Sequence, residues 1–241
     1  MTDDTEAQEN REYREYEPSS QPPYLTPNYK STVIRSPNKP QYKLPRTLTE
    51  TTGPLFTQDD LVADEYDLSV NAKGDAAIGS LMVMDGFVTD EDGRPAANTL
   101  IELWQANSAG KYHHLMDTRG APGDPNFIGA GRAVTDSEGH YRFMTIKPGA
   151  YPVPNSGNYW RPPHLHLSLF GRSFMSRMIT QCYFPGDPLN ELDHILHGVP
   201  DADAKERLIM TFDPVVGVHE HALGYRFDIV LRGRHATPMV G

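Results

Sequence analysis

Cysteine is nearly missing from this 241-residue chain, with Cys182 standing alone. One thiol cannot build an intrachain disulfide framework or a Cys-rich zinc site, so a reducing compartment, the cytoplasm, is expected. Long apolar runs are missing as well, and nothing approaches the ~20 residues of a membrane span. The first residues, MTDDTEAQENREYREYE, are acidic where a secretory signal would be basic and then apolar, which predicts a soluble, unexported protein. Basic excess is lacking too. The formal net charge is -10, and residues 1–17, with seven Asp/Glu against two Arg, supply -5 of it. A surface able to track a phosphate backbone is therefore not expected, which sets nucleic-acid binding aside.

Turn formers are plentiful. Only 38% of residues are hydrophobic, while 20 Gly and 21 Pro are spread along the chain as punctuation, favouring many short elements over long helices. Residues 1–50 are polar and Pro-studded without a sustained period, and read as an amino-terminal arm. Within it residues 1–17 form an acidic, flexible tail, while Tyr24, Leu25, Tyr29, Ile34 and Tyr42 carry enough apolar area to pack on a neighbouring subunit. Residues 51–241 read as one domain, with about eight strands after Ser80. SLMVMDGFVTD, TLIELWQAN, GRAVT, HYRFMTI, HLHLSLFG, MITQCYFPG, RLIMTFDPVV and YRFDIVLRG are separated by turns such as DEDG and DSEG. With no βαβ alternation, the fold class expected is all-β: an antiparallel β-sandwich with long loops and one short helical insert. The insert is LNELDHILHG, with Leu189, Leu192, Ile195 and Leu196 at roughly helical spacing and a stop at Gly198.

Histidines occur in four close pairs, and only one combines a strand with other reactive side chains. In YPVPNSGNYWRPPHLH, His164 and His166 are two apart, so on a strand they share one face while Leu165 and Leu167 share the other. Pro162 and Pro163 cannot donate to a ladder, which starts the strand near His164 and leaves Tyr151–Arg161 as a loop able to fold its Tyr over the imidazoles. Of the rivals, His113 and His114 would point to opposite faces. His194 and His197 solvate a helix, and His219 and His221 sit in an exposed loop. An HxH pair alone is more often coincidence than chelate.

A second motif changes the weighing. MDGFVTDEDGRPAANTLIELWQANSAGKY, from Met84 to Tyr112, has a strand, a turn at Gly93, a second strand with Ile101, Glu102 and Leu103, then Gly110 and Tyr112. This pattern resembles the signature of the intradiol ring-cleavage dioxygenases, and YPVP…WRPPHLH is similar to that family's second metal segment. The resemblance runs from about Gly53 to the carboxyl end. It implies four metal ligands: Tyr112, Tyr151, His164 and His166. The Pro-rich arm is unlike the helical dimerisation region of the catechol and hydroxyquinol branches. The closest resemblance is to the branch whose iron-bearing β subunits cleave protocatechuate (3,4-dihydroxybenzoate) to 3-carboxy-cis,cis-muconate, with catechol or hydroxyquinol as alternative substrates.

What the resemblance implies is chemically coherent. Phenolates are hard anionic donors that suit ferric iron, so two Tyr and two His favour one non-haem Fe(III) per chain over Zn(II) or Fe(II). By resemblance Tyr112 stays bound while Tyr151 lets go when a catechol binds, acting as both ligand and base. Arg161, three residues before His164, would stabilise negative charge developing on the ring, and Gln181 would hydrogen-bond Arg161 or the substrate. Trp104 and Ile195 would line the pocket, and Tyr29 with Arg35 in the arm would meet a substrate carboxylate. Val153 stands where that loop of the family is expected to hold a tryptophan. The resemblance also implies a homologous, iron-free α subunit, forming an α/β protomer within a larger oligomer. Two other classes compete: a non-enzymatic, transthyretin-like sandwich that binds a ligand, and a zinc hydrolase using His164, His166 and a third His.

Overall fold

A computed structural model describes residues 20–22, 65–170 and 178–240. Two sheets face each other across one apolar core. The first is built on β1 (Leu81–Thr89), which pairs antiparallel with β4 (His140–Ile146) on one side. On its other side β1 pairs parallel with β10 (Leu223–Arg226) and then β11 (Ile229–Val230), while β9 (Thr211–Phe212) extends the sheet beyond β10. The second sheet is antiparallel throughout and runs β3 (Ala130–Val134), β2 (Leu100–Trp104), β7 (His164–Phe170), β8 (Met178–Tyr183). A small hairpin, β5 (Tyr151–Pro152) with β6 (Trp160–Arg161), stands apart.

Alternation decides which residues fill the core. Met82 and Met84 of β1, Ile101 and Leu103 of β2, Tyr141 and Phe143 of β4, and Leu165, Leu167 and Leu169 of β7 interlock between the sheets. Each such fully buried apolar side chain contributes roughly 1.5–3 kcal/mol of transfer free energy. Because the three leucines of β7 turn inward, His164 and His166 must take the outer face of the second sheet.

Two expectations need correction. The sandwich is not purely antiparallel, since β10 and β11 run parallel to β1, and the single strand expected over YRFDIVLRG is two short ones. The break falls at Phe227 and Asp228: the Asp228 carboxylate accepts the Phe87 N–H (2.9 Å), and the Phe227 carbonyl accepts the Tyr141 hydroxyl (2.6 Å). Side chains thus satisfy the groups that a ladder would otherwise pair. The insert expected as one helix over LNELDHILHG is two 3₁₀ turns, Pro188–Leu192 and Leu196–Gly198, interrupted at Asp193, whose backbone is extended (φ -76°, ψ 114°). Leu192, counted on the apolar face, is 61% exposed. A true helix follows instead, α1 (Ala202–Glu206), started by Asp201, whose side chain accepts the Ala204 N–H at 2.7 Å.

Candidate metal centre

Tyr112 and Tyr151 reach the outer face from two different loops. After β2, the Asn107 carboxamide oxygen accepts the N–H groups of Ala109 and Lys111, both at 2.9 Å, and Gly110 takes φ +77° to close the turn. The Asp117 carboxylate then accepts the Tyr112 N–H at 2.9 Å and pairs with the Arg119 guanidinium. Burial alone would raise the Asp117 pKa, but hydrogen bonds from Arg119 and Tyr112 outweigh it and hold the carboxyl well below its usual range. Tyr151 opens the β5–β6 hairpin, directly opposite Arg161. The stretch expected as a loop is therefore a tight return, closed by the Val153 N–H donating to the Tyr159 carbonyl at 2.9 Å.

The two phenols and two imidazoles converge. Tyr112 Oη lies 3.0 Å from His166 Nε2, and Tyr151 Oη lies 3.3 Å from His164 Nε2. The imidazole centroids are 4.9 Å apart, and the two phenol rings meet edge to face at 5.5 Å. His164 Nδ1 is 2.7 Å from the Pro162 carbonyl, which has no hydrogen to give, so Nδ1 carries the proton and Nε2 offers its lone pair toward the Tyr151 hydroxyl. Burial first and the Arg161 charge second push the His164 pKa well below its ordinary value, keeping the ring neutral as a metal ligand must be.

This donor set fits a metal ion. Ligand atoms about 2.0–2.1 Å from an ion are ~2.9–3.4 Å from one another at right or tetrahedral angles, a spacing that both phenol–imidazole pairs meet. Burial and the neighbouring Tyr151 raise the Tyr112 pKa well above its ordinary value, a penalty that a trivalent cation between the donors would oppose. Among the described residues no group of three or more His, Cys, Asp or Glu side chains is placed to hold a metal. The described site combines two imidazoles with two phenols rather than with a third imidazole.

Arg161 is 1% exposed, not a surface residue. Its Nε donates to Asp193 Oδ2 (2.9 Å), and its Nη2 donates to Gln181 Oε1 (2.7 Å) and the Tyr183 hydroxyl (2.9 Å). Its Nη1 lies 3.0 Å from His164 Nε2. Gln181 thus takes the first of its two expected roles, as a partner of Arg161. The β7–β8 register explains the convergence: Gln181 sits opposite His166 and Tyr183 opposite His164, so all four side chains share the outer face. The sequence reading missed Tyr183 and Asp193. Tyr183 was detectable as the residue two beyond Gln181 on one strand; Asp193 carried no signal, lying 32 residues from Arg161.

The remaining candidates separate. Trp104 is opposite His166 in the β2–β7 register and stacks on its ring at 4.9 Å and 8°. It also lines a cleft of about 870 Å³ with Glu102, Ile128 and Arg132, a cavity that none of Tyr112, Tyr151, Arg161, His164 and His166 lines, so its contact with the site is the stacking on His166. Replacing Trp104 by Ala is expected to weaken iron retention about 10-fold, within the range for a group that orients a metal ligand, as checked by dialysis against a chelator. Ile195 is 4% exposed and packs with Tyr183, Leu196, Val199 and Leu208 in a second small cluster, a core position and not an open wall. Tyr29 and Arg35 lie outside the described residues, as does the division between arm and domain near residue 50. Of the rival histidines, His219 and His221 are exposed as expected, whereas His194 stacks on Tyr159 at 4.4 Å.

Known proteins are similar to this chain in sequence and in fold. A family model described as dioxygenase matches residues 51–233, and one described as the amino-terminal part of the protocatechuate 3,4-dioxygenase β subunit matches residues 14–46. The chain is 52% identical over 221 residues to a protocatechuate 3,4-dioxygenase β chain of Burkholderia cepacia, covering 91% of this chain and 94% of that one. It is 29% identical over 203 residues to a protocatechuate 3,4-dioxygenase α chain of Pseudomonas putida, covering 80% of this chain and 95% of that one. In fold it is similar to 3-chlorocatechol 1,2-dioxygenase of Rhodococcus opacus 1CP, with a TM-score of 0.54, 22% identity, and 76% and 71% of the two chains covered.

Proposed function

We infer, from the fact that this chain belongs to the intradiol ring-cleaving dioxygenase family, that it is the catalytic, metal-bearing β subunit of an enzyme that cleaves protocatechuate. The product is 3-carboxy-cis,cis-muconate, with both atoms of O2 incorporated. The observation that carries the reading is the convergence of Tyr112, Tyr151, His164 and His166 beside the buried Arg161. The 52% identity to a protocatechuate 3,4-dioxygenase β chain supports the choice of substrate.

Non-haem ferric iron held by these four donors would supply the electron withdrawal that lets a chelated catechol react with dioxygen. The residues divide the remaining work. His164 and His166 anchor, one tied through Nδ1 to Pro162 and the other braced by Trp104. Tyr151 is held less closely at its hydroxyl than Tyr112, 3.3 Å against 3.0 Å from its imidazole partner. As a phenolate, Tyr151 could accept one of the two catechol protons at Oη, so that proton needs no histidine base. The Arg119 guanidinium lies 4.5 Å over the centroid of the Tyr151 ring, a cation–π contact that braces the ring from one side. Arg161 presents Nη1 beside His164, where a fixed cation in a dry site stabilises negative charge growing on the substrate ring.

The likeness to an α chain supports assembly with a homologous α subunit. No helix among the described residues is long and apolar enough to cross a membrane. The single cysteine, Cys182, supports a reducing, cytoplasmic setting. Purified with its partner, the protein is expected to be red from tyrosinate-to-iron charge transfer, with the colour changing when protocatechuate is added without oxygen. Turnover should favour protocatechuate over catechol and hydroxyquinol. A colourless, iron-free preparation would refute the metal assignment; preference for catechol would refute the substrate.

A further inference from the structure

Asp193 has no task in the reaction as described, yet it is the most heavily hydrogen-bonded side chain near the site. It is 0% exposed. Its carboxylate accepts from Arg161 Nε (2.9 Å) and Nη2 (3.4 Å), and from the hydroxyls of Tyr159 (3.3 Å) and Tyr183 (3.4 Å). The backbone N–H groups of Ile195 (2.9 Å) and Leu196 (2.8 Å) also donate to it. Burial alone would raise its pKa, but the Arg161 charge and these donors hold it below its ordinary value, so the group stays ionised. A buried carboxylate kept charged by this many donors is costly unless it serves its partner.

The partner's geometry shows what is served. The Nε and Nη2 edge of Arg161 is occupied by Asp193, Gln181 and Tyr183, whereas Nη1 points to His164 Nε2. Arginine's donors form a rigid planar fork, so clamping one edge aims the other. We propose that Asp193 is a positioning residue: it clamps the far edge of Arg161 and thereby directs Nη1 at the face where the substrate ring is attacked. The clamp sits at the break between the two 3₁₀ turns, which explains why a segment of helical periodicity is interrupted there. Gln181 and Tyr183 hold Nη2 but are neutral, so among the described residues Asp193 supplies the charge that keeps the guanidinium in place.

This inference rests on the proposed dioxygenase activity, and the experiment separates the two. In the complete α/β enzyme loaded with iron, Asp193→Asn keeps an acceptor for the Ile195 and Leu196 N–H groups but removes the charge. Iron content and the anaerobic affinity for protocatechuate are expected to stay within about threefold of the parent, while kcat per iron falls about 10–100-fold, the range for groups that orient active-site residues. Asp193→Glu, which retains the buried charge while displacing it by one methylene, is expected to hold iron and lose about 10-fold in kcat. Parent-like kcat per iron in either variant would overturn the proposal, since a purely structural carboxylate would change the yield of folded enzyme and leave the turnover of each site alone. If the parent enzyme itself cleaved no catechol, the functional reading would fail instead.

Discussion

A His164→Ala variant is expected to lose iron and colour, binding the metal at least about 100-fold more weakly than the parent, because even groups that merely orient a metal ligand are worth 10–100-fold. His164 is tightly held: 2% exposed, tied through Nδ1 to Pro162, and paired through Nε2 with Tyr151 and Arg161. Its removal takes a neutral nitrogen from the metal and leaves the Arg161 Nη1 edge facing a void. Turnover should fall with the iron. Elemental analysis of the dialysed protein together with the visible spectrum provides the check, and retention of stoichiometric iron with an unchanged charge-transfer band would remove His164 from the ligand set. The fold should survive, because the three leucines that seat β7 in the core lie on the opposite face.

Gly110→Ala should damage both stability and metal binding, through a contact far less visible than a ligand. Gly110 has φ +77°, and a Cβ built there would lie 2.2 Å from the Ala150 carbonyl oxygen and 3.2 Å from Tyr151 Cβ. A left-handed conformation costs an L-residue about 1–2 kcal/mol, and forcing backbone apart adds roughly 1–3 kcal/mol. The expected loss is therefore about 2–5 kcal/mol, which for a chain of this size lowers Tm by roughly 4–20 °C. Because Gly110 precedes Tyr112 by two residues and abuts the residue before Tyr151, relief of the clash moves the two phenols apart. Iron affinity should fall with Tm, measured by calorimetry and metal titration on one preparation. A variant with parent-like Tm and iron content would show that the two tyrosine loops are not held by this contact.

The four convergent side chains were legible because the motifs that carry them are local. The two histidines share a face by period two, Pro162 and Pro163 mark where their strand begins, and Gly110 with the tyrosine segments forms a pattern specific enough to show its family resemblance. Most strands were legible for the same reason, since alternation between apolar and polar residues is written in adjacent positions. The helical insert was misread because Leu189, Leu192, Ile195 and Leu196 have helical spacing, but the intervening Asp193 is drawn to Arg161 and spends its carboxylate on the Ile195 and Leu196 N–H groups. A tertiary ion pair overrode a local periodicity.

By itself, then, the sequence determined an all-β chain with one thiol, because that depends on residue type and short-range spacing, while family resemblance pointed to the four residues that converge and the cation beside them. The tertiary structure alone decided that β10 and β11 run parallel to β1, that Trp104 braces His166, and that Asp193, Gln181 and Tyr183 clamp one edge of Arg161. These are matters of strand register and of contacts between residues as many as 141 positions apart. Such contacts exist only once the core has closed, because loop closure must be met by burial before any distant pair can form.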